Sequence, residues 1–129
     1  MSGRGWQECN IVVHTFLLGD WINSFSQQVS DILDKAGLDV LVYSGDKDFI
    51  CNWRGGEAWT HECEWSGQAD FNANDYEDWN VDGQAAGALK TNKNLRFLRV
   101  FDAGHMVPMN QPKAALQMLT DFIAGDPLN

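Results

Sequence analysis

Acidic and basic side chains follow two strand-like runs of the sequence, and their types suit proton transfer. His105 comes after the apolar run Leu95–Phe101, whereas Asp46 and Asp48 come after the apolar run Val40–Tyr43. An aspartate that accepts the Nδ1 proton of a histidine fixes the tautomer of the ring and stabilises its protonated form. We favour Asp48 for this role because it lies beyond the turn, next to apolar residues that can partly bury its carboxylate. Asp46 is assigned to the turn itself.

The loop that carries His105 has the composition expected of a loop that holds a general base. Ala103 and Gly104 are small, which allows a sharp turn, and Pro108 and Pro112 stiffen the segment that follows. A single histidine after a strand is more often a hydrogen-bonded structural residue. A general base, however, must be held within hydrogen-bond reach of its nucleophile, and a rigid loop at a strand end meets that need.

The sequence offers no recognisable nucleophile for this pair. An acid and a base in this order, each after a strand, correspond to the last two members of the Ser–Asp–His order of α/β-hydrolases. Cys51 lies just after Asp48, and a thiolate beside a histidine would be activated. Because Cys51 is not on a strand-to-helix elbow, we interpret it as part of a pocket wall. No G-x-S-x-G motif surrounds any of the serines, which are Ser2, Ser24, Ser26, Ser30, Ser44 and Ser66.

The remaining candidates for chemistry are weaker. His14 lies in an apolar run and is interpreted as a structural residue. The segment His61–Glu64 contains metal-binding residue types, but adjacent positions of a helix point in different directions. We therefore predict neither a metal site nor a cofactor. Most of the six tryptophans are expected in the core, whereas Trp21 and Trp53 flank strand ends and are candidates to line a substrate pocket.

Composition and charge argue against several classes of function. The chain has 129 residues and a formal net charge of −9, which disfavours binding to nucleic-acid phosphates. No apolar run approaches the roughly 20 residues of a membrane-spanning helix, and the first residues lack the apolar region of a signal peptide. The three cysteines, Cys9, Cys51 and Cys63, can form at most one bridge within the chain, and the partner of Cys9 stays open.

The hydrophobic pattern of the first half predicts helices on either side of a buried strand. Apolar residues at helical spacing predict a helix with Asp20 as N-cap and Gly37 as its stop. The continuous apolar run Val40–Tyr43 predicts a strand that is covered on both faces, and hence parallel and central. A helix is predicted from about residue 53, and residues 66–80 are expected to form a loop or a short surface helix.

The second half predicts a hairpin, a strand and a helix. The hairpin turn falls at Val81–Gln84, and Leu95–Phe101 forms the second strand. The chain is therefore predicted to be a single unit, residues 1–129, that forms part of a larger α/β sandwich. The final helix, Pro112–Ile123, is expected to direct five residues inward, namely Ala115, Leu116, Leu119, Phe122 and Ile123.

Three motifs of the chain resemble those of a known family. They are Phe16–Trp21, Leu41–Trp53, and Gly104–Pro108 together with Pro112. From about Cys9 to Gly125 the chain resembles the C-terminal portion of a serine carboxypeptidase. The resemblance implies the α/β-hydrolase fold, with mostly parallel strands flanked by helices plus a hairpin. It also implies release of C-terminal residues from peptides at acidic pH.

The same resemblance implies roles for individual residues. It places the triad acid at Asp48 and the triad base at His105. It implies that Trp21, Ile50 and Cys51 line the acyl-side pocket and that Met106 contacts the leaving residue. The substrate would be a peptide with a free C-terminus, and the location vacuolar, lysosomal or extracellular. Cys9 resembles a cysteine that is bridged to the N-terminal region in the family.

The chain also departs from the family pattern. Members are several times longer, and their serine elbow and oxyanion-hole glycines lie upstream of the part that this chain resembles. We therefore expect the isolated chain not to hydrolyse peptides. It would be a fragment of a serine carboxypeptidase, or one chain of a two-chain enzyme whose partner carries the serine. The alternatives are a non-catalytic interaction module and a fragment of a carboxypeptidase-like acyltransferase, which uses the same triad.

Overall fold

A four-stranded mixed sheet organises the computed structural model, which describes residues 5–128. Its strands are β1 (Val40–Gly45), β2 (Glu77–Val81), β3 (Gln84–Asn92) and β4 (Leu95–Val100), in the order β1-β4-β3-β2. β1 runs parallel to β4, whereas the pairs β3–β4 and β2–β3 are antiparallel. The predicted α/β class and both predicted strands are present, but only one of the three pairings is parallel.

The strand β1 does not take the central position that its apolar run predicted. It pairs with β4 on one side and forms an edge of the described sheet. A continuous apolar run is typical of a strand that is covered on both faces, and Leu41 and Val42 do pack against the clusters on opposite faces. The apolar run of β1 therefore indicates cover on both faces and does not fix the position of the strand in the sheet.

The helices before β1 differ from the prediction at their start. Two short helices, α1 (Ile11–Phe16) and α2 (Leu18–Trp21), precede α3 (Ser26–Asp31), which continues as a π-helical turn, Ile32–Ala36. Asp20, the expected N-cap, lies inside α2, whereas the side chain of Asn10 caps the start of α1 at Ile11. The end is as predicted, since Gly37 adopts the left-handed conformation that stops the helical segment.

Helices cover both faces of the sheet and build one hydrophobic cluster on each. On one face α3, α4 (Trp53–Glu62) and α5 (Gln68–Ala73) surround Leu95 and Phe97 of β4. On the other face α7 (Pro112–Ala124) covers Leu98 and Val100, so the residues of β4 alternate between the two clusters. The short helix α6 (Val107–Asn110) links β4 to α7.

The inward face of α7 is shifted from the expected one. Ala114, Ala115 and Met118 are buried, whereas Leu116, Leu119 and Ile123 are exposed. Together with Tyr43 of β1, the exposed leucines line an apolar groove of about 450 Å³. The helical spacing was right, but the apolar stripe is wider than the sheet it covers, so half of it faces outward.

The region between α4 and β3 contains more regular structure than predicted. It forms α5 and β2, and its Phe71 and Trp79 are completely buried. A loop or a short surface helix was expected here: α5 is a short helix, although its Phe71 is buried, whereas the strand β2 was not predicted. In β2 only Trp79 is fully buried, and it lies between the polar residues Asp78 and Asn80. The predicted hairpin turn is confirmed, because Asp82 and Gly83 join β2 to β3.

The three cysteines of the chain differ in their exposure to solvent. Cys9 and Cys51 are exposed, Cys63 is buried, and none of the three forms a disulfide within residues 5–128. The Sγ of Cys63 lies 3.4 Å from the hydroxyl of Ser30. No helix described in the chain has the length and apolar character needed to cross a membrane.

Candidate active site

Asp48 and His105 meet at the carboxyl ends of β1 and β4. The Nδ1 atom of His105 lies 2.9 Å from Oδ2 of Asp48. The parallel pairing of β1 and β4 brings them together, because the carboxyl ends of parallel strands meet at the same edge. A hydrogen bond at Nδ1 leaves Nε2 as the atom that can accept a proton from a nucleophile.

The carboxylate of Asp48 is held more firmly than the ring that it orients. Its Oδ1 accepts hydrogen bonds from the backbone N–H groups of Ile50 (3.0 Å) and Cys51 (3.1 Å). The Asp48 side chain is 7% exposed, whereas that of His105 is 65% exposed. The hydrogen bond from His105 holds the pKa of Asp48 below its ordinary value, and both backbone amides act in the same direction. These hydrogen bonds therefore favour the ionised form of Asp48.

The other aspartate of the turn does not reach the histidine. The backbone N–H of Asp46 donates to the Val100 carbonyl at 2.9 Å, which extends the β1–β4 pairing by one residue. Its Oδ1 atom is buried without a hydrogen-bond partner among the described residues. The structure thus brings Asp48, and not Asp46, to His105.

A close backbone contact sets the separation of the two loops. A Cβ atom on Gly45 would lie 2.2 Å from the carbonyl oxygen of Ala103 and 2.5 Å from that of Gly104. Two residues after Gly45, the N–H of Lys47 donates a hydrogen bond of 2.9 Å to the same Ala103 oxygen. The side chain of Lys47 also pairs with Asp102 across the loops. Glycine at position 45 therefore allows the close approach that brings Asp48 to His105.

The loop after β4 is closed by polar side chains from α6 and the residue after it. Oδ1 of Asn110 accepts a hydrogen bond of 3.0 Å from the N–H of Gly104, and Nε2 of Gln111 donates to the Asp102 carbonyl at 3.2 Å. The sequence pattern did not point to Gly45 or Asn110. The sequence offered one weak signal for each residue: Gly45 directly precedes an aspartate, and Asn110 directly precedes Gln-Pro.

The site opens into a small depression. It has a volume of about 200 Å³ and is lined by Tyr43, Ser44, Gly45, Asp48, Cys51, His105 and Val107. Of the residues assigned to substrate contacts, Cys51 lines this depression. Ile50 is 82% exposed, and Met106, next to His105, is exposed as well.

Trp21 is not brought to this depression. It is 72% exposed and packs edge-on against the ring of His14 at 5.0 Å. It lines a separate cavity of about 600 Å³ with Cys9 and residues of α1. Trp53 is the first residue of α4, the helix that follows the Asp48 loop. The guanidinium of Arg99 stacks over its ring at 4.5 Å. The expected pocket of Trp21, Ile50 and Cys51 is thus not assembled within residues 5–128.

Metal-binding residue types converge at a different place from the one considered in the sequence. One donor atom from each of Asp48, Cys51 and His105 falls within 4.8 Å of the others. The three could hold a thiophilic cation such as Zn²⁺, which would compete with the Asp48–His105 hydrogen bond. The segment His61–Glu64 does not converge, because Nε2 of His61 faces Lys90 and Cys63 is turned towards Ser30.

No serine hydroxyl among the described residues hydrogen-bonds to His105. Ser44 borders the depression, but its Oγ faces α4, where a Cβ on Gly56 would lie 3.2 Å from it. Ser2 lies outside the described residues. Within the described part of the chain, His105 is therefore hydrogen-bonded to Asp48 and to no serine hydroxyl.

A family model for serine carboxypeptidases matches residues 2–125, which is nearly all of the chain. The chain belongs to the serine carboxypeptidase family. Curated relatives support the assignment: carboxypeptidase Y of Candida albicans is 46% identical over 123 residues. Serine carboxypeptidase 3 of Oryza sativa subsp. japonica is 45% identical over 117 residues.

A solved structure places the chain in the fold of this family. The prohormone-processing carboxypeptidase Kex1 of Saccharomyces cerevisiae superposes with a TM-score of 0.78 and 25% sequence identity, over 93% of this chain. The mixed sheet with its flanking helices is therefore part of an α/β-hydrolase fold. The match to the Candida protein covers 94% of this chain and 22% of that protein. The superposition covers 26% of the Kex1 structure. The chain thus spans about a quarter of the length of these serine carboxypeptidases.

Proposed function

We propose that the chain supplies the acid and the base of a serine carboxypeptidase site, with Asp48 orienting His105. The observation that carries the proposal is the 2.9 Å contact between Nδ1 of His105 and Oδ2 of Asp48. The carboxylate is buried and ionised, and the imidazole is exposed at the depression. This is the division of roles that a hydrolytic triad requires.

In the proposed reaction His105 moves the protons. Its Nε2 accepts the proton of a serine hydroxyl as that oxygen attacks the carbonyl of the last peptide bond, and an acyl-enzyme forms. The same nitrogen then protonates the leaving amino group. In the second half it takes a proton from the water molecule that attacks the ester, and it returns this proton to the serine oxygen as the ester bond breaks. Asp48 stabilises the imidazolium in each step and keeps the acceptor nitrogen directed outward.

The serine and the oxyanion-hole amides would come from a segment outside this chain. Two apolar surfaces support that part of the proposal: the groove at α7 and Tyr43, and the exposed face of α1 and α2. Exposed apolar areas of this extent mark surfaces that are covered by another protein segment. The isolated chain is accordingly proposed to be inactive, and to act with an N-terminal segment or chain of a serine carboxypeptidase.

The substrate side of the proposal follows the family. The substrate is a peptide with a free C-terminus, with Ile50 and Cys51 on its acyl side and Met106 beside the leaving residue. Trp21 would complete the acyl-side pocket once α1 and α2 pack against the rest of the enzyme. The proposed location is a vacuolar, lysosomal or extracellular one, in keeping with a chain of net charge −9 and a carboxylate whose ionised form is favoured by its hydrogen bonds.

A chimera tests the proposal directly. The 123 matched residues of the Candida albicans carboxypeptidase Y would be replaced by this chain, and release of the C-terminal residue from a blocked dipeptide would be measured. We expect an active chimera that loses about 10⁴-fold in kcat with Asp48→Asn or His105→Ala. Asp70→Asn, on the exposed side of α5, is the matched control and should retain full activity.

The outcomes separate the alternatives. A folded chimera that is inactive in every assay would support a non-catalytic interaction module and contradict the proposal. Transfer of the acyl group to an alcohol in preference to water would indicate an acyltransferase. Activity that survives His105→Ala would remove His105 from the mechanism.

A further inference from the structure

We propose that Asn110 is a positioning residue of this site, acting through the Ala103–Gly104 peptide to fix the direction of His105. Asn110 ends α6, and its side chain turns back to the start of the loop that precedes the helix. It does not touch the imidazole. Its contact is with the N–H of Gly104, the residue directly before His105.

The carbonyl and the N–H of the Ala103–Gly104 peptide unit are both hydrogen-bonded, and their partners come from different parts of the fold. The carbonyl oxygen of Ala103 accepts from the N–H of Lys47 at 2.9 Å, and the N–H of Gly104 donates to Oδ1 of Asn110 at 3.0 Å. Because the peptide unit is planar, the two hydrogen bonds fix its rotation about the chain axis. Rotation would break the link to the Asp48 loop and the link to α6 together.

This peptide plane determines where the histidine side chain leaves the backbone. His105 is the next residue, and its own ring is exposed, so little packing holds it. Ala103 is completely buried, which anchors the other end of the unit. The orientation of the ring towards Asp48 therefore depends on the backbone before it, and Asn110 is the side chain that sets that backbone.

A purely structural role would have a different signature. Gly104 is only half-buried, so water can replace Asn110 as the acceptor when the side chain is truncated. The lost hydrogen bond then costs little stability, whereas the peptide plane is held on one side only, by the hydrogen bond from Lys47 to the Ala103 carbonyl. A positioning role thus predicts a change in the Asp48–His105 contact that exceeds any change in melting temperature.

The inference rests on the proposed role of His105, but its first test needs no catalytic activity. The pKa of Asp48 is lowered mainly by the hydrogen bond from His105, so it reports on that contact. In this chain, labelled with ¹³C at its aspartate carboxyls, we expect Asn110→Ala to raise the pKa of Asp48 towards its ordinary value. Asn74→Ala, which removes a hydrogen bond to the Thr91 carbonyl far from the site, should leave it unchanged.

The second test uses kinetics in the chimera. A small misplacement of a catalytic group costs up to about 100-fold, so Asn110→Ala should lower kcat by about tenfold to 100-fold with KM within about twofold. Asn110→Asp keeps the acceptor oxygen and should restore most of kcat. Asn110→Ser, with a shorter polar side chain, should follow Asn110→Ala and serves if that variant fails to fold.

Either experiment can overturn the proposal. An Asp48 titration that does not move in Asn110→Ala or Asn110→Ser, with only the melting temperature lowered, would assign Asn110 a structural role. Equal losses of kcat in the alanine and aspartate variants would do the same. An inactive chimera would contradict the proposed function and leave the Asp48 titration as the deciding measurement.

Discussion

Gly45 and Ala103 approach each other so closely that no side chain fits between them. A Cβ on Gly45 would lie 2.2 Å from the Ala103 carbonyl oxygen, well inside any real contact distance. The two residues lie at the starts of the segments that carry Asp48 and His105, so their backbone contact sets the distance between these segments. Glycine at position 45 is thus a requirement of the site as much as of the fold.

Gly45→Ala is expected to separate the two loops. The methyl group must displace backbone atoms, which breaks the hydrogen bond from Lys47 to Ala103 and lengthens the Asp48–His105 contact. We expect a loss of about 100-fold in kcat in the chimera, together with a lower melting temperature. Gly5→Ala is the matched control, because a Cβ on Gly5 would meet nothing within 4 Å and Gly5 precedes α1. Equal activity in both variants would contradict the expectation.

The pairing of Asp48 should be visible as a pH dependence of stability. The folded state lowers the pKa of Asp48 below the ordinary value of about 3.9. The pair therefore contributes stability that is fully present above that pH and is lost as the pH falls through the lower pKa of the folded state. Urea unfolding between pH 2 and pH 7 should show this loss in the native chain and a weaker one in Asp48→Asn. Identical profiles would show that the pair is not formed in solution.

Tyr76 should resist ionisation in the folded chain. Burial raises the pKa of its phenol, and the nearby Glu57 carboxylate, which accepts a hydrogen bond of 2.7 Å from it, raises it further. The chain has two tyrosines, so phenolate absorbance can be assigned. We expect one ionisation to be displaced well above the ordinary value of about 10, and Tyr76→Phe to remove it. Tyr43→Phe should leave that displaced step in place.

The apolar groove at α7 should make the isolated chain self-associate. Leu116 and Leu119 line it and are exposed. The double variant Leu116→Lys/Leu119→Lys should lower binding of an apolar dye and shift sedimentation towards the monomer. Gln117→Lys/Thr120→Lys adds the same charge to the same helix outside the groove and should change neither property. A native chain that sediments as a monomer and binds no dye would contradict this expectation.

The sequence was sufficient to predict the elements whose apolar runs are continuous. β1, β4 and the termination at Gly37 follow from local composition, and so does the preference for Asp48 over Asp46. The strand β2 was missed because its one buried residue, Trp79, lies between the polar residues Asp78 and Asn80. Its burial comes from pairing with β3 and not from any pattern of its own.

The finer structure of the site depends on contacts that the local sequence cannot report. The approach of Gly45 to Ala103 joins residues of two separate strands, and the return of Asn110 to Gly104 depends on α6 being a single short turn. The wide apolar stripe of α7 was recognised, but its burial depends on how much sheet lies beneath it. The position of Trp21 likewise depends on what packs against α1 and α2.

The parallel pairing of β1 with β4, which we call the seam, also bears on how the chain unfolds locally. β2, β3 and β4 follow one another along the chain and pair as neighbours, whereas β1 joins β4 across about fifty intervening residues, a closure with a larger entropic cost. Asp48 lies on one side of this seam and His105 on the other. A fluctuation that detaches β1 while the three-stranded meander persists would separate acid from base. Heating or mild denaturant should therefore abolish the Asp48–His105 pair before the chain unfolds globally, and amide exchange in β1 should be faster than in β4.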